Sequence, residues 1–295
     1  MQVAPVPPVA RPLLVFTDLD GTLLDHDTYS WKPAAAALEE LRRRGVPVVL
    51  NSSKTKAEQL CLRREMENSH PFIVENGAAV YVPEGYFPGL GDRLEPGKLE
   101  REGDFLIRRF GAPRSKALEL LAELRQEGYQ FEGFHDWTPE QLSEVASLPR
   151  ERAARALERC CSEPVLWRGD SASLHYLQER ADAAGLRLVQ GGRFLHLMGR
   201  FDKAEALGWL RELYEADGRP RCTVALGDSP NDAAMLDAAD VAVVIRSRRS
   251  NSIQPDGPER VIRTAQPGPK GWQEAMEQVL GGYGCREPAG RGETE

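Results

Sequence analysis

The chain has 295 residues, 41% of them hydrophobic and 28% charged, with a formal net charge of −7. This is the balance of an ordinary globular protein long enough for about two domains, and no apolar run approaches the roughly 20 residues that span a bilayer. The acidic balance excludes a general nucleic-acid binder, which carries a basic excess or stripe, but not a small anionic substrate met by a few converging cations.

In chain order, the Pro-rich "MQVAPVPPVARP" lacks the charged start, apolar segment and cleavage site of a signal peptide, and reads as a flexible leader over 1–11. "LLVFT" predicts a buried strand, "KPAAAALEELRRRG" a helix closed by Gly45, and "VPVVLNSS" the next strand, which together make βαβ grammar. From about Glu84 the chain turns Gly- and Pro-rich, then gives helical patterns in "SKALELLAELRQEG", "TPEQLSEVASL" and "ERAARALERC". Short strand candidates follow in "EPVLWRG", "LRLVQGG" and "RFLHLMG". "KAEALGWLRELYEADG", "CTVALGDS", "NDAAMLDAA" and "VAVVI" then resume helix, strand, short helix and strand.

The pattern predicts an α/β fold: a doubly wound parallel-sheet (Rossmann-like) core over 12–83 and 198–280, interrupted by an inserted α+β cap domain over 84–197. Residues 281–295, rich in Gly and charge, predict a disordered tail. Cys61, Cys160, Cys161, Cys222 and Cys285 lack paired zinc spacing. They read as buried or incidental thiols of a reduced, cytoplasmic protein.

In open α/β sheets, ligands bind beyond the carboxyl ends of the strands. Three strands here end in polar clusters: Asp18 and Asp20; Asn51, Ser52 and Ser53; Gly227 and Asp228. Two carboxylates so close at the end of a buried strand repel and need a compensating partner. Asp18, Asp20, Asp228 and Asp232 supply hard oxygens that suit Mg²⁺, which takes a few carboxylates together with waters and phosphate oxygens. A carboxylate beside such an ion can attack phosphorus while Ser52 and a lysine neutralise the transferred oxygens. Taken alone, "DLDGT" reads equally as an Asx-type turn, and "GDSPND" as a loop before a helix cap. Both together, each after an apolar strand and far apart in the chain, favour chemistry.

These residues resemble the four motifs of the haloacid dehalogenase superfamily of phosphatases: "DLDGT" at 18–22, a strand ending in Ser52, a lysine in "DKAEAL", and "GDSPNDAAML" at 227–236. The resemblance implies Asp18 as nucleophile and Asp20 as general acid and base. It assigns Ser52 and Lys203 to the phosphoryl group, Asp18, Asp20, Asp228 and Asp232 to Mg²⁺, and Asn231 to orienting the metal site or nucleophile. Ser53 competes with Ser52, and Lys270 is the alternative to Lys203, because Ala204 stands where Gly often follows this lysine. The insertion between Ser52 and Lys203 occupies the place of the larger α+β cap of the superfamily.

"NSSKT" at 51–55, "ENGAAV" at 75–80, "GFHDWTPEQLSEVASLP" at 133–149, "ERCCSEPVLW" at 158–167 and "GGRFLHL" at 191–197 are similar to mannosyl-3-phosphoglycerate phosphatases. That resemblance implies Mg²⁺-dependent hydrolysis of mannosyl-3-phosphoglycerate to mannosylglycerate, a compatible solute. The glucosyl analogue or another sugar phosphate is the alternative. Cys160 and Cys161 depart from it, standing where larger polar or aromatic residues are expected.

A phosphoglycerate ester carries a carboxylate besides its phosphate, which suits arginine. Arg193 is the first candidate, with Gly191 and Gly192 allowing close backbone approach, and Lys54 and Arg168 read equally as solvated surface cations. Glu75, Asn76 and Asp136 are candidates for sugar hydroxyls, and Glu163 reads equally as structural. His135 and His196 have no sequence partner as metal ligands and read as structural histidines. The expected partner is a small anionic sugar phosphate acted on by a monomer or homodimer, with neither nucleic acid nor membrane. A phosphomutase of the same superfamily would share Asp18 and Asp20 but pass the phosphoryl group to a sugar. A non-catalytic binding module would lack one of the carboxylates, and none is lacking.

Overall fold

The computed structural model describes residues 11–93, 99–190 and 193–282. The predicted leader and tail fall almost wholly outside the described residues. The strands in chain order are β1 (Leu13–Thr17), β2 (Val48–Asn51), β3 (Phe72–Val74), β4 (Ala79–Pro83), β5 (Glu100–Glu102), β6 (Phe105–Arg109), β7 (Phe131–Gly133), β8 (Ser162–Trp167), β9 (Leu186–Gln190), β10 (Leu195–Gly199), β11 (Cys222–Gly227), β12 (Val241–Arg246) and β13 (Arg260–Pro267). The chain divides into two compact units, Met1–Val48 with Gly208–Glu295, and Val49–Leu207.

In the first unit the strands run β13-β12-β11-β1, each pair parallel. Parallel strands covered on both faces must be apolar throughout rather than alternating. "CTVALG" meets this with every residue buried, and "VAVVIR" with all but the last. The predicted first helix opens in a 3₁₀ turn, Lys32–Ala34, and continues as Ala35–Arg43. Pro33 is tolerated there because a first-turn N–H has no helical partner anyway. Gly45 at φ +65° closes the helix. The helix Gly268–Leu280 buries Trp272, Ala275, Met276 and Val279 along one stripe.

In the second unit β2 is parallel to β3, and β4, β6 and β5 follow antiparallel, so the parallel sheet expected from sequence acquires an antiparallel extension. A separate antiparallel sheet has the order β7-β8-β10-β9. The helices Arg114–Gln126 and Ser171–Ala183 press Leu120, Leu121, Leu124, Leu177 and Ala181 onto Phe131, Val165, Leu186 and Leu197 of that sheet. The fold class is the expected one, an α/β parallel-sheet protein whose sequence is interrupted by an α+β segment.

Among the described residues no helix is long and apolar enough to cross a membrane. Cys61, Cys160 and Cys161 are free thiols.

Candidate active site

The register Thr17↔Leu226 sets the ends of β1 and β11 level, and the Asp18 N–H donates to the Leu226 carbonyl at 2.9 Å. Asp18 and Asp228 therefore leave the same edge of the sheet. Carboxylate oxygens of Asp18, Asp228 and Asp232 all lie within 4.8 Å of one another. Asp18 and Asp232 are buried, so the mutual repulsion is weakly screened. Protein donors offset part of it: Thr22 Oγ1 donates to Asp228 Oδ1 at 3.2 Å, and the N–H groups of Asp228 and Ser229 each donate to Asp232 Oδ2 at 3.1 Å. Two glycines make room. A Cβ on Gly21, at φ +81°, would lie 2.9 Å from Asp228 Oδ2, and one on Gly227 would lie 2.5 Å from the Asp232 Cβ.

Three converging hard oxygens fit a small divalent cation of the magnesium type. Asp20 was expected with them, but its carboxylate is not part of this triad. It sits in a tight loop where the Gly21 N–H donates to Leu24 O at 2.9 Å and the Leu24 N–H to Leu19 O at 2.7 Å. Asn231 shares the turn of Asp228 and Asp232 and accepts from the Ser229 hydroxyl. Beneath Asp18, the buried Trp272 indole donates to Thr17 Oγ1 at 3.0 Å, and that hydroxyl donates to the Asp18 carbonyl at 2.7 Å, which fixes the strand end.

The second unit gathers another group of predicted residues. Ser52, Glu75 and Lys203 are each at most 1% exposed. The Asn76 N–H donates to Ser52 O at 2.9 Å and the Glu75 N–H to Lys54 O at 3.0 Å, so the turn after β3 clasps the loop after β2. That turn takes positive φ at Glu75, Asn76 and Gly77, +48°, +62° and +101°. Asn51 Nδ2 donates to the Lys203 carbonyl at 3.0 Å. Lys203 begins the helix Lys203–Tyr214, and Asp202 Oδ1 accepts from the Ala204 and Glu205 N–H groups at 2.9 Å each. Ala204 follows Lys203 where glycine was expected, and the alternative, Lys270, is exposed.

Arg159, which sequence reasoning passed over, ties this group together. Its guanidinium donates to Ser53 O at 2.7 Å and to Ser162 Oγ at 3.1 Å, and lies 3.7 Å from the Glu75 carboxylate. The only signal was its place inside "ERCC". Lys54 is mostly buried, its ammonium 3.6 Å from Glu58. Arg193 is exposed and its guanidinium donates to the Val145 carbonyl. Gly191 and Gly192 lie outside the described residues. Glu163 is fully buried, accepting from Arg114 and from the His135 ring and N–H, while Asp136 accepts from Arg125 and the Gly133 N–H. Both are thus engaged in a network within the second unit. Arg168 pairs with Glu132 at the surface. Burial pushes the His196 imidazole down to about 3, so it is neutral near pH 7.

Burial alone would raise the Glu75 carboxyl, but Arg159 together with hydrogen bonds from Ser162 and Cys160 holds it below its ordinary 4.5. A folded-state pKa below the unfolded value adds stability above the unfolded value, and that stability is lost as pH falls through the folded one. Thermal midpoints of the wild type should therefore fall on acidification below about pH 4.5 more steeply than those of Glu75→Gln. Parallel pH profiles of the two midpoints would contradict this account of Glu75.

Residues 15–87 match the haloacid dehalogenase-like hydrolase family, and residues 174–278 match sucrose-6F-phosphate phosphohydrolase. The chain is 35% identical over 272 residues to a glucosyl-3-phosphoglycerate/mannosyl-3-phosphoglycerate phosphatase of Persephonella marina, covering 91% of this chain and 97% of that one. Its fold is similar to that of a Thermoplasma acidophilum protein, with TM-score 0.62 and 19% identity over 92% of this chain and 99% of the other. It is also similar to the sucrose-phosphatase of Synechocystis sp. PCC6803, with TM-score 0.59 and 16% identity over 92% and 98% of the two chains. The α/β fold and the strand-end carboxylates thus define a haloacid dehalogenase-like hydrolase. Within that superfamily the chain belongs to the mannosyl-3-phosphoglycerate phosphatase family, and it is a phosphoric monoester hydrolase.

Proposed function

We propose that the chain is a Mg²⁺-dependent sugar phosphatase that hydrolyses mannosyl-3-phosphoglycerate, with the glucosyl ester as the alternative substrate. The observation that carries the reading is the buried triad of Asp18, Asp228 and Asp232 in a chain so similar to the Persephonella marina phosphatase. The family motifs give the roles. An Asp18 oxygen attacks phosphorus in line as the bond to the glycerate oxygen breaks, and Asp20 gives that oxygen a proton. Asp20 then takes a proton from water, whose oxygen attacks the aspartyl phosphate and frees phosphate and the Asp18 carboxylate. Ser52 and Lys203 hold the transferred oxygens, Ser53, Lys54, Glu75 and Asn76 border the substrate, and Asn231 orients the turn of Asp228 and Asp232. A cation held by the triad would neutralise charge on the phosphoryl group.

In this reading residues 12–83 and 198–280 form the catalytic domain. Residues 84–197 form a cap that selects the substrate and excludes water. The product is mannosylglycerate, a compatible solute, formed in the cytoplasm.

Phosphate release should be measured on mannosyl-3-phosphoglycerate, glucosyl-3-phosphoglycerate, sucrose 6-phosphate and hexose phosphates. We expect the two phosphoglycerate esters to exceed the others by at least about tenfold in kcat/KM, a gap of roughly 1.4 kcal/mol. EDTA should stop release and Mg²⁺ restore it. Equal rates on every ester would reject the substrate, and phosphoryl transfer to a sugar without proportionate phosphate would favour a mutase.

A further inference from the structure

Cys160 and Cys161, the residues that depart from the family pattern, lie against the turn that clasps Ser52. Their sulfurs are 3.2 Å apart and not bonded. Glu75 is held by this pair and Ser162, with Arg159 3.7 Å away. It accepts from the Cys160 N–H at 2.8 Å, the Cys161 N–H at 3.2 Å, the Ser162 hydroxyl at 2.6 Å and the Cys160 thiol at 3.2 Å. Arg109 Nη1 stands 3.4 Å from one sulfur and 3.9 Å from the other. Cys161 is buried with Ala78, Met198 and Phe201, and Cys160 is half-buried beside them.

We infer that Cys160 and Cys161 are a redox-sensitive dithiol that a peroxide closes into a vicinal disulfide, releasing Glu75 and loosening the turn that holds Ser52. A disulfide needs an S–S distance of about 2.05 Å, so the sulfurs must approach by more than an ångström. The ring formed includes the peptide between the two cysteines, so closure turns the Cys161 N–H that donates to Glu75. Arg109, beside both sulfurs, favours a thiolate on the pair. The thiolate attacks one peroxide oxygen, giving a sulfenic acid and hydroxide. The other thiol gives up its proton, and its sulfur then attacks the sulfenic sulfur, forming the S–S bond and expelling hydroxide, which takes up a proton to become water. Two thiols are oxidised by two electrons and one peroxide is reduced to two waters. A thiol reductant reverses the step.

The effect on activity rests on the proposed role of Ser52, so the test reads the turn without substrate. The reduced full chain is treated with hydrogen peroxide, followed by peptide mapping and amide hydrogen exchange. The peptide holding both cysteines should lose two hydrogens and regain them with dithiothreitol. Exchange at the Glu75 and Asn76 amides should quicken at least about tenfold. Phosphate release should fall and recover in parallel, Cys160→Ser should abolish every effect, and Cys61→Ser none. Two thiols that stay free, or a disulfide that leaves Glu75 and Asn76 exchange unchanged, would overturn the inference. A wrong substrate would show separately, as reduced protein that releases no phosphate while the exchange result still stands.

Discussion

Asp18→Asn is expected to cut phosphate release by at least ~10³-fold while leaving the protein folded and slightly more heat-stable without metal. The amide has the volume of the carboxylate but cannot form the covalent intermediate. Its neutrality also removes one of three charges that lie within 4.8 Å of one another. Relief of that repulsion adds about 1 kcal/mol to the metal-free protein. Lost activity with a raised midpoint cannot be confused with unfolding, which lowers both. Activity within tenfold of wild type would remove Asp18 from the chemistry.

Gly77→Ala should be the most damaging single methyl in the second unit. At φ +101° the added Cβ would lie 2.0 Å from the Asp202 carbonyl oxygen and 2.9 Å from the Lys203 nitrogen. Both contacts are to backbone, so the start of the helix Lys203–Tyr214 must shift and Lys203 with it. Strain and overpacking together cost about 2–5 kcal/mol. The thermal midpoint should fall by roughly 5–15 °C, with activity reduced at temperatures where the variant is still folded. Gly85→Ala is the control, because Gly85 also has positive φ, +76°, but an added Cβ meets nothing within 4 Å. It should cost only about 1 kcal/mol. Similar losses in the two variants would mean that backbone conformation, not the contact with Asp202, sets the effect.

The strands that carry the carboxylates were legible because burial on both faces demands continuous apolar runs, and "LLVFT" and "CTVALG" have no other reading. The end of the first helix followed from Gly45, whereas the Thr138 side chain that caps Pro139–Ala146 emerged only in the structure. The antiparallel extension was not legible. The three residues of β5, Glu100–Glu102, are all exposed and carry no apolar period. The hairpin of β3 and β4 depends on a turn in which Glu75 and Asn76 adopt backbone angles unusual for them. Arg159 was missed for a related reason. Its partners Ser53 and Glu75 are 106 and 84 residues away in sequence, and nothing local marks such a contact. Asp228 and Asp232 were found because a motif keeps them four residues apart, while their junction with Asp18 required the register of β1 on β11.

Asp18 is proposed to carry the phosphoryl group covalently, and locating that group during turnover decides whether it does. The enzyme should be acid-quenched during turnover of mannosyl-3-phosphoglycerate with Mg²⁺, digested and mapped by mass spectrometry. A phosphoryl group is expected on Asp18 of the wild type and absent from Asp18→Asn. A phosphoryl group on Ser52 or another residue, with Asp18 unmodified during turnover, would contradict it.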